Sequence, residues 1–323
     1  MRRVLLLTDG AAAPWRWSVD LARQFSRRGL EVILAAAGDA LTPWQAWEAK
    51  GMSGIDLREA PPGQARTWLT GLDLRAKADV VHLVGCPRFA VLPWRAPLVT
   101  TVCDVPATET EWGELIQAVR SSHQAVSPAR ALAAAVESRY SGPPSWSVIR
   151  HTCEGSQFRP GIKERFILST ARPSDPAEDL AALEWVAPHL RWPVLCTLGM
   201  LPAPELADWY SRAPLFVLPA RRKTFSLSAL EAALSGCALV LTNLPGLREV
   251  WEDDAVYVPP GDRLALGAAL TDLIHHPSRR HDLGDRAAER ARSFRLQEMT
   301  DCYLNAYHEA VRAAGRSGLA SAV

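Results

Sequence analysis

The stretch from Phe216 to Asn243, FVLPARRKTFSLSALEAALSGCALVLTN, constrains the fold of this chain more than any other. It begins with a short apolar strand at Phe216–Pro219 and a basic loop at Ala220–Thr224. Leucines and alanines then recur at helical spacing up to Gly236, and Ala238–Thr242 is a continuous apolar strand. This strand–loop–helix–strand order is typical of an α/β fold.

The start of the helix in this stretch is suited to binding an anion. Ser226 or Ser228 can cap the helix, which leaves backbone N–H groups and the positive end of the helix dipole beside the basic loop. That arrangement suits a diphosphate. One turn into the helix, Glu231 can accept both hydroxyls of a ribose, as the acid of a dinucleotide-binding fold does. The alternative for Glu231 is a solvated acid on the helix surface.

The beginning of the chain predicts a parallel sheet. A strand at Arg3–Thr8, an amphipathic helix at Ser18–Arg28 and a strand at Glu31–Ala37 form a β-α-β unit with a right-handed crossover. The loop Asp9–Trp15 therefore lies at the carboxyl edge of the sheet, where open α/β sheets bind ligands. The sequence contains neither a G-x-G fingerprint nor a Walker A motif. Farther on we expect Trp44–Glu59 to be helical.

Composition narrows the class of protein. A chain of 323 residues with 48% hydrophobic and 22% charged residues predicts a globular protein of two domains. The net charge of +1 favours neither nucleic acid nor an acidic partner. MRRVLLLTDG is too short an apolar segment for a signal peptide or a membrane span. The six cysteines are scattered without a C-x-x-C motif, so we expect reduced thiols in a cytoplasmic protein.

Tryptophan is abundant in this chain, and one histidine lies within an apolar run. Twelve tryptophans are many for this length, and Trp15, Trp17, Trp44 and Trp47 cluster near the first loop, where they either pack in the core or line a cleft. His82 lies within the apolar run DVVHL, and we expect a packed core histidine.

The segment KTFSLSALEAALSGCALVLTNLPGLREV resembles the C-terminal-domain signature of the GT4 family of retaining glycosyltransferases. Phe225, Glu231, Ala232, Gly236 and Val240 fall on that signature. The segment HTCEGSQFRP resembles the family's interdomain linker, with matches at its phenylalanine and its final proline.

The resemblance implies the GT-B architecture, in which two Rossmann-like α/β domains face each other across a cleft. We expect an acceptor-side domain at 1–158, a nucleotide-sugar-binding domain at 159–295, and a helix at 296–323 that crosses back to the first domain. The implied function is transfer of a sugar from a nucleotide-diphosphate sugar to an unidentified acceptor with retention of configuration. Such a transferase requires no metal ion and no cofactor.

The resemblance also implies site residues. The donor-binding residues would be Gly10, Arg172, Glu178, Met200, Phe225, Ser226, Leu227, Ser228 and Glu231, and the residues nearest the reacting centre Lys223, Asp104 and Cys103. Gly10 is the position of the first loop that permits close approach to the donor.

Several positions depart from the family pattern. Lys223 stands where the family has the glutamate that holds donor-sugar hydroxyls, and Glu178 stands where it has a phosphate-binding lysine. A serine, Ser226, replaces the usual glycine, and Cys103 stands where many members have a histidine, with Asp104 as the nearest polar side chain. A carboxylate about 4 Å from a phosphate costs roughly 1–4 kcal/mol.

Three hypotheses follow from these departures. Either Lys223 and Glu178 have exchanged roles and the enzyme is active, or donor chemistry has been lost and the scaffold is a binding or partner module. The third is an epimerase or phosphorylase on the same scaffold, for which the sequence provides no assignable additional acids.

Overall fold

The computed structural model describes residues 1–10, 12–38, 40–171, 178–197 and 201–320 of the chain. The chain divides into two compact units. The first contains Met1–His151 together with the C-terminal segment from Leu296, and the second contains Thr152–Arg295.

The first unit is built on a seven-stranded sheet in which every pairing is parallel. The strands are β1 (Arg3–Thr8), β2 (Glu31–Ala36), β3 (Ile55–Glu59), β4 (Val80–Val84), β5 (Leu98–Thr101), β6 (Gln124–Ser127) and β7 (Trp146–Val148). Their order across the sheet is β3-β2-β1-β4-β5-β6-β7. The helices between them are α1 (Ala12–Arg27), α2 (Pro43–Lys50), α3 (Ala65–Ala76), α4 (Glu109–Ser121) and α5 (Arg130–Glu137).

The second unit has a parallel five-stranded sheet of its own, in the order β12-β11-β10-β8-β9. Its strands are β8 (Ile167–Ser169), β9 (Val194–Cys196), β10 (Leu215–Leu218), β11 (Ala238–Thr242) and β12 (Val256–Val258). The helices are α6 (Leu180–Val186), α7 (Ala203–Arg212), α8 (Leu227–Leu234), α9 (Pro245–Trp251), α10 (Arg263–His275) and α11 (Pro277–Ser293). Two separate parallel sheets with interleaved helices confirm the predicted α/β class.

The last helix, α12 (Leu296–Ala320), belongs to the first unit, although it follows the second unit in the chain. Its Tyr303 and Tyr307 are fully buried in the hydrophobic cluster that also contains Phe25 of α1 and Val84 of β4. Burial of these aromatic side chains is a large part of what holds the helix to this sheet.

Two expectations about the first unit are wrong. Helix α1 begins at Ala12 rather than Ser18, because Pro14 is tolerated in a first helical turn, where its missing N–H needs no partner. The segment expected to be helical over Trp44–Glu59 contains the short helix α2 and then the edge strand β3. Gly54 makes the break between them with φ of 77°, a left-handed backbone conformation that favours glycine.

Candidate active site

The start of α8 has the predicted capped geometry. Ser226 is the cap, because its Oγ accepts a hydrogen bond of 3.1 Å from the backbone N–H of Ala229. Ser228 and Leu227 lie in the first turn and are half-buried. Phe225, just before the cap, is buried in the hydrophobic core of the second unit, so its side chain anchors the basic loop to that core.

Glu231 is fully buried on α8, between apolar residues that are also buried. The hypothesis of a solvated helix acid is therefore wrong. Removing a carboxylate from water is costly, which makes such a residue a candidate for a functional role. A ligand hydroxyl can reach this carboxylate only if the groups that cover it move.

Lys223 and Glu178 form a buried ion pair. Lys223 Nζ lies 3.4 Å from Glu178 Oε1, and the two side chains are only 10% and 7% exposed. The pair exists because the chain at Glu178 forms an antiparallel bridge with Ala220, three residues before the lysine. The structure thus brings together the two residues whose charges are reversed relative to the family pattern.

A neighbouring ion pair fixes the same two segments a second time. The Asp179 backbone N–H donates to Pro219 O at 2.8 Å, and Arg221 donates to Asp179 Oδ1 at 3.0 Å. The Asp179 side chain is 8% exposed, whereas Arg221 is 58% exposed. The basic loop is therefore held along Glu178 and Asp179 by backbone and side-chain contacts together.

Two residues that sequence reasoning missed also shape this loop. Thr242, at the end of β11, accepts from the Ala220 N–H at 2.9 Å and donates to Leu218 O at 3.3 Å. Gly246 in α9 lies against the loop so closely that an added Cβ would come within 2.5 Å of Thr224 O. Both residues lie in the sequence VLTNLPG, which runs from the end of β11 into α9, and the only local signal for them is a threonine that ends an apolar strand and a glycine in the first turn of a helix.

In the first unit, Gly10 follows β1 with φ of 80°, a conformation that favours glycine. Its carbonyl accepts a hydrogen bond of 3.0 Å from Gln45 Nε2 of α2. Because α1 begins at Ala12, the first turn of this long helix follows Gly10 directly. Cys103 and Asp104 follow β5 at the same carboxyl edge of the sheet, and both are half-buried. Arg172 and Met200 lie outside the residues that the structure describes.

The buried histidines of the first unit are structural, as predicted for His82. Its Nδ1 and Nε2 lie 2.7 Å from Tyr307 Oη and 2.7 Å from Thr101 Oγ1. His151 Nε2 lies 2.7 Å from Tyr303 Oη. Burial lowers the pKa of His82 to about 3 and lowers that of His151 well below its ordinary value. Both imidazoles are therefore neutral near pH 7. His82 ties α12 to strand β4, and His151 ties α12 to the segment that follows β7.

Neither a metal centre nor a membrane-spanning helix is found among the described residues. Those residues contain no cluster of three or more His, Cys, Asp or Glu side chains with the geometry to hold a metal ion. The described part of the chain also contains no helix long and apolar enough to cross a membrane.

Comparison with known families supports the resemblance in the second unit. The model of the family described as "Glycosyl transferases group 1" matches residues 163–276, which include β8 to α10 and the whole α8 segment. The D-inositol 3-phosphate glycosyltransferase of Paenarthrobacter aurescens is 37% identical over 111 residues, or 34% of this chain and 27% of the relative. That of Thermobispora bispora is 31% identical over 170 residues, or 49% of this chain and 38% of the relative. The alignments thus span well under half the length of these relatives.

Solved structures show the same fold over nearly the whole chain. Anabaena HepE in complex with UDP-glucose has a TM-score of 0.77 at 13% identity, covering 93% of this chain and 98% of that one. Sucrose-phosphate synthase from Thermosynechococcus elongatus has a TM-score of 0.71 at 15% identity, covering 97% of this chain and 100% of that one. Taken together, these structural neighbours show the GT-B fold class, and residues 163–276 are similar to the group 1 glycosyl transferases.

Proposed function

We propose that this protein is an active glycosyltransferase that moves a sugar from a nucleotide-diphosphate sugar to an acceptor, with retention of configuration. The observation that carries this proposal is the contact between Lys223 and Glu178 at the capped start of α8. In a scaffold that had lost its donor site, nothing would maintain an ion pair between two separately reversed charges. Their contact keeps the local sum of charge that the family pattern has.

The chemistry requires stabilisation of the negative charge that builds on the departing diphosphate. Cationic side chains and helix N-termini provide this without a metal ion. In this proposal Lys223, held in place by Glu178, and Arg172 supply positive charge, and the backbone at Ser226–Ser228 supplies N–H donors. Lys223 has no acceptor atom for sugar hydroxyls, so the donor sugar is recognised differently from the family pattern.

In the first unit, the loop after β1 is the proposed phosphate-binding element. Gly10 allows a phosphate to approach the backbone, and the first turn of α1 directly follows it. Asp104 and Cys103 are the polar groups proposed to lie nearest the transferred sugar. We assign the acceptor to the first unit and the nucleotide to the second.

Glu231 is the proposed acceptor of the ribose hydroxyls. Its complete burial supports a carboxylate that is kept dry until a nucleotide displaces its covering groups. In this proposal, nucleotide binding is coupled to a local rearrangement next to α8, and the affinity is reduced by the cost of that rearrangement.

All six cysteines lie in the described residues, and none forms a disulfide. This supports the proposal of a reducing compartment, the cytoplasm.

Calorimetric titration with UDP-, GDP- and ADP-sugars tests the proposal, with UDP-glucose first because the Anabaena neighbour was solved with it. We expect saturable binding by the native protein and a loss of about 1.5–3 kcal/mol in Glu231→Ala. Glu289→Ala, which removes an exposed acid from α11, is the matched control and should bind normally. Proton NMR of the product anomer then tests retention. Absence of binding to every nucleotide sugar by a folded native protein would favour the silent-scaffold alternative.

A further inference from the structure

Helix α2 carries a pair of stacked indoles, of which Trp47 is exposed and Trp44 is half-buried. The ring centroids of Trp44 and Trp47 lie 4.6 Å apart with an interplanar angle of 27°. Trp47 is 65% exposed. By contrast, Trp15 and Trp17, which cluster with them in the sequence, are buried in the core of the first unit. The first loop region therefore has two packed tryptophans and two that form a surface platform.

The exposure of Trp47 is not the result of a loosely attached helix. Thr42 and Gln45 form a capping box at the start of α2, with each side chain bonded to the other's backbone N–H. Ala49 on the opposite side is buried in the core, and Glu48 pairs with Arg23 of α1 at 3.1 Å. Helix α2 is thus docked through one side, and the indole pair is presented on the side that remains open.

The platform is also tied to the carboxyl edge of the sheet. Gln45, which lies between the two tryptophans in the sequence, donates from Nε2 to the carbonyl of Gly10 at 3.0 Å. The Leu41 N–H, just before α2, is bonded to Glu59 Oε1 at the end of β3 at 3.0 Å. These two bonds fix the platform next to the loop at which open parallel sheets bind their ligands.

We propose that Trp44 and Trp47 form a binding subsite for a pyranose ring of the acceptor. A pyranose has a face of C–H groups that packs on an indole, and hydroxyls at its rim that stay in water. The bond from Gln45 to Gly10 places the platform at the edge where open parallel sheets bind their ligands, which favours a sugar substrate as the occupant. This inference rests on the proposed function, because it assigns the acceptor of that reaction.

The test compares three variants. Trp47→Ala removes the outer ring, Trp47→Phe keeps an aromatic face, and Trp185→Ala removes the exposed tryptophan of α6 in the second unit as a matched control. Saturation-transfer NMR with methyl glucoside, methyl mannoside and methyl galactoside measures sugar binding directly, without and with UDP. We expect affinity to fall about five- to tenfold in Trp47→Ala, and to change little in Trp47→Phe and Trp185→Ala.

Turnover provides a second readout that separates the subsite from the donor site. With UDP-glucose as donor and the bound glycoside as acceptor, Trp47→Ala should raise the KM for the glycoside and leave the affinity for UDP-glucose unchanged. The inference is overturned if the native protein shows no saturation transfer from any of the three glycosides, or if Trp47→Ala and Trp185→Ala behave alike. It is also overturned if Trp47→Ala loses only binding to phosphatidylcholine–phosphatidylglycerol vesicles, since that would make the platform a membrane contact. Failure of nucleotide-sugar binding by the native protein would instead overturn the proposed function.

Discussion

Removing one charge of the Lys223–Glu178 pair is the most informative perturbation of this protein. At 3.4 Å, two unit charges attract by about 5 kcal/mol at an effective dielectric of ~20, against about 1 kcal/mol in bulk water. Because both side chains are about nine-tenths buried, the attraction is close to 5 kcal/mol, and the free-energy cost of desolvating the two charges opposes it. Breaking a buried pair from one side leaves an uncompensated buried charge and costs about 3–5 kcal/mol. We therefore expect Lys223→Met and Glu178→Gln each to destabilise the second unit by this amount.

The double variant Lys223→Met with Glu178→Gln should be markedly more stable than the sum of the single effects. Urea denaturation of the four proteins closes a double-mutant cycle, and we expect a coupling free energy of about 1–3 kcal/mol. A coupling below about 0.5 kcal/mol would refute the reasoning, because the two charges would then not stabilise each other.

Charge reversal extends the same cycle to function. Lys223→Glu places a second carboxylate beside Glu178 and the proposed diphosphate position, so it should abolish donor binding. Adding Glu178→Lys restores the arrangement of the family pattern and should recover binding, with altered sugar preference. If the doubly reversed protein folds but neither binds nor turns over any common nucleotide sugar, the exchange hypothesis is wrong.

Three further predictions concern stability. Ser226→Ala removes the cap of α8 and should lower the free energy of unfolding, measured by urea denaturation, by about 1 kcal/mol. Ser228→Ala should change it little, and equal effects of the two variants would contradict the capping assignment. Gly246→Ala should lower the free energy of unfolding by about 1–3 kcal/mol, because the added Cβ meets the Thr224 backbone. Gly113→Ala in α4, where nothing lies within 4 Å of the added Cβ, should raise it by about 0.5–1 kcal/mol. The opposite order of the two variants would contradict this packing. The pKa of His82 is about 3 in the folded protein and 6.5 in the unfolded chain, so between these pH values only the unfolded chain binds the proton. The free energy of unfolding therefore falls as the pH falls through this window. His82→Gln should reduce this pH dependence by up to about 1.4 kcal/mol per pH unit, and an unchanged slope would contradict the assignment.

Most of the fold could be predicted because its strands are continuous apolar runs bounded by turn residues. The strands β1 and β11 agree with the predictions residue for residue. The strand β3 was missed because IDLRE is half polar, as an edge strand can be, and follows a helical tryptophan-rich segment closely. The start of α1 differs from the expected one because Pro14 lies in the first turn of the helix and not in a loop.

The site was less accessible to sequence reasoning. Capping by Ser226 is encoded locally, so it could be predicted. The contact of Lys223 with Glu178 depends on the bridge between Glu178 and Ala220, and no local pattern encodes a pairing between segments that far apart in the chain. Complete burial of Glu231 likewise depends on how the second unit packs around α8, which a helical periodicity does not determine.

Titration of the native protein and Glu231→Ala with UDP-glucose and other nucleotide sugars tests the central claim most directly. The account predicts saturable binding by the native protein, a loss of about 1.5–3 kcal/mol in Glu231→Ala, and normal binding by Glu289→Ala. Equal binding by the native protein and a folded Glu231→Ala variant would contradict the ribose assignment. The absence of binding by the native protein to every nucleotide sugar would contradict the account as a whole.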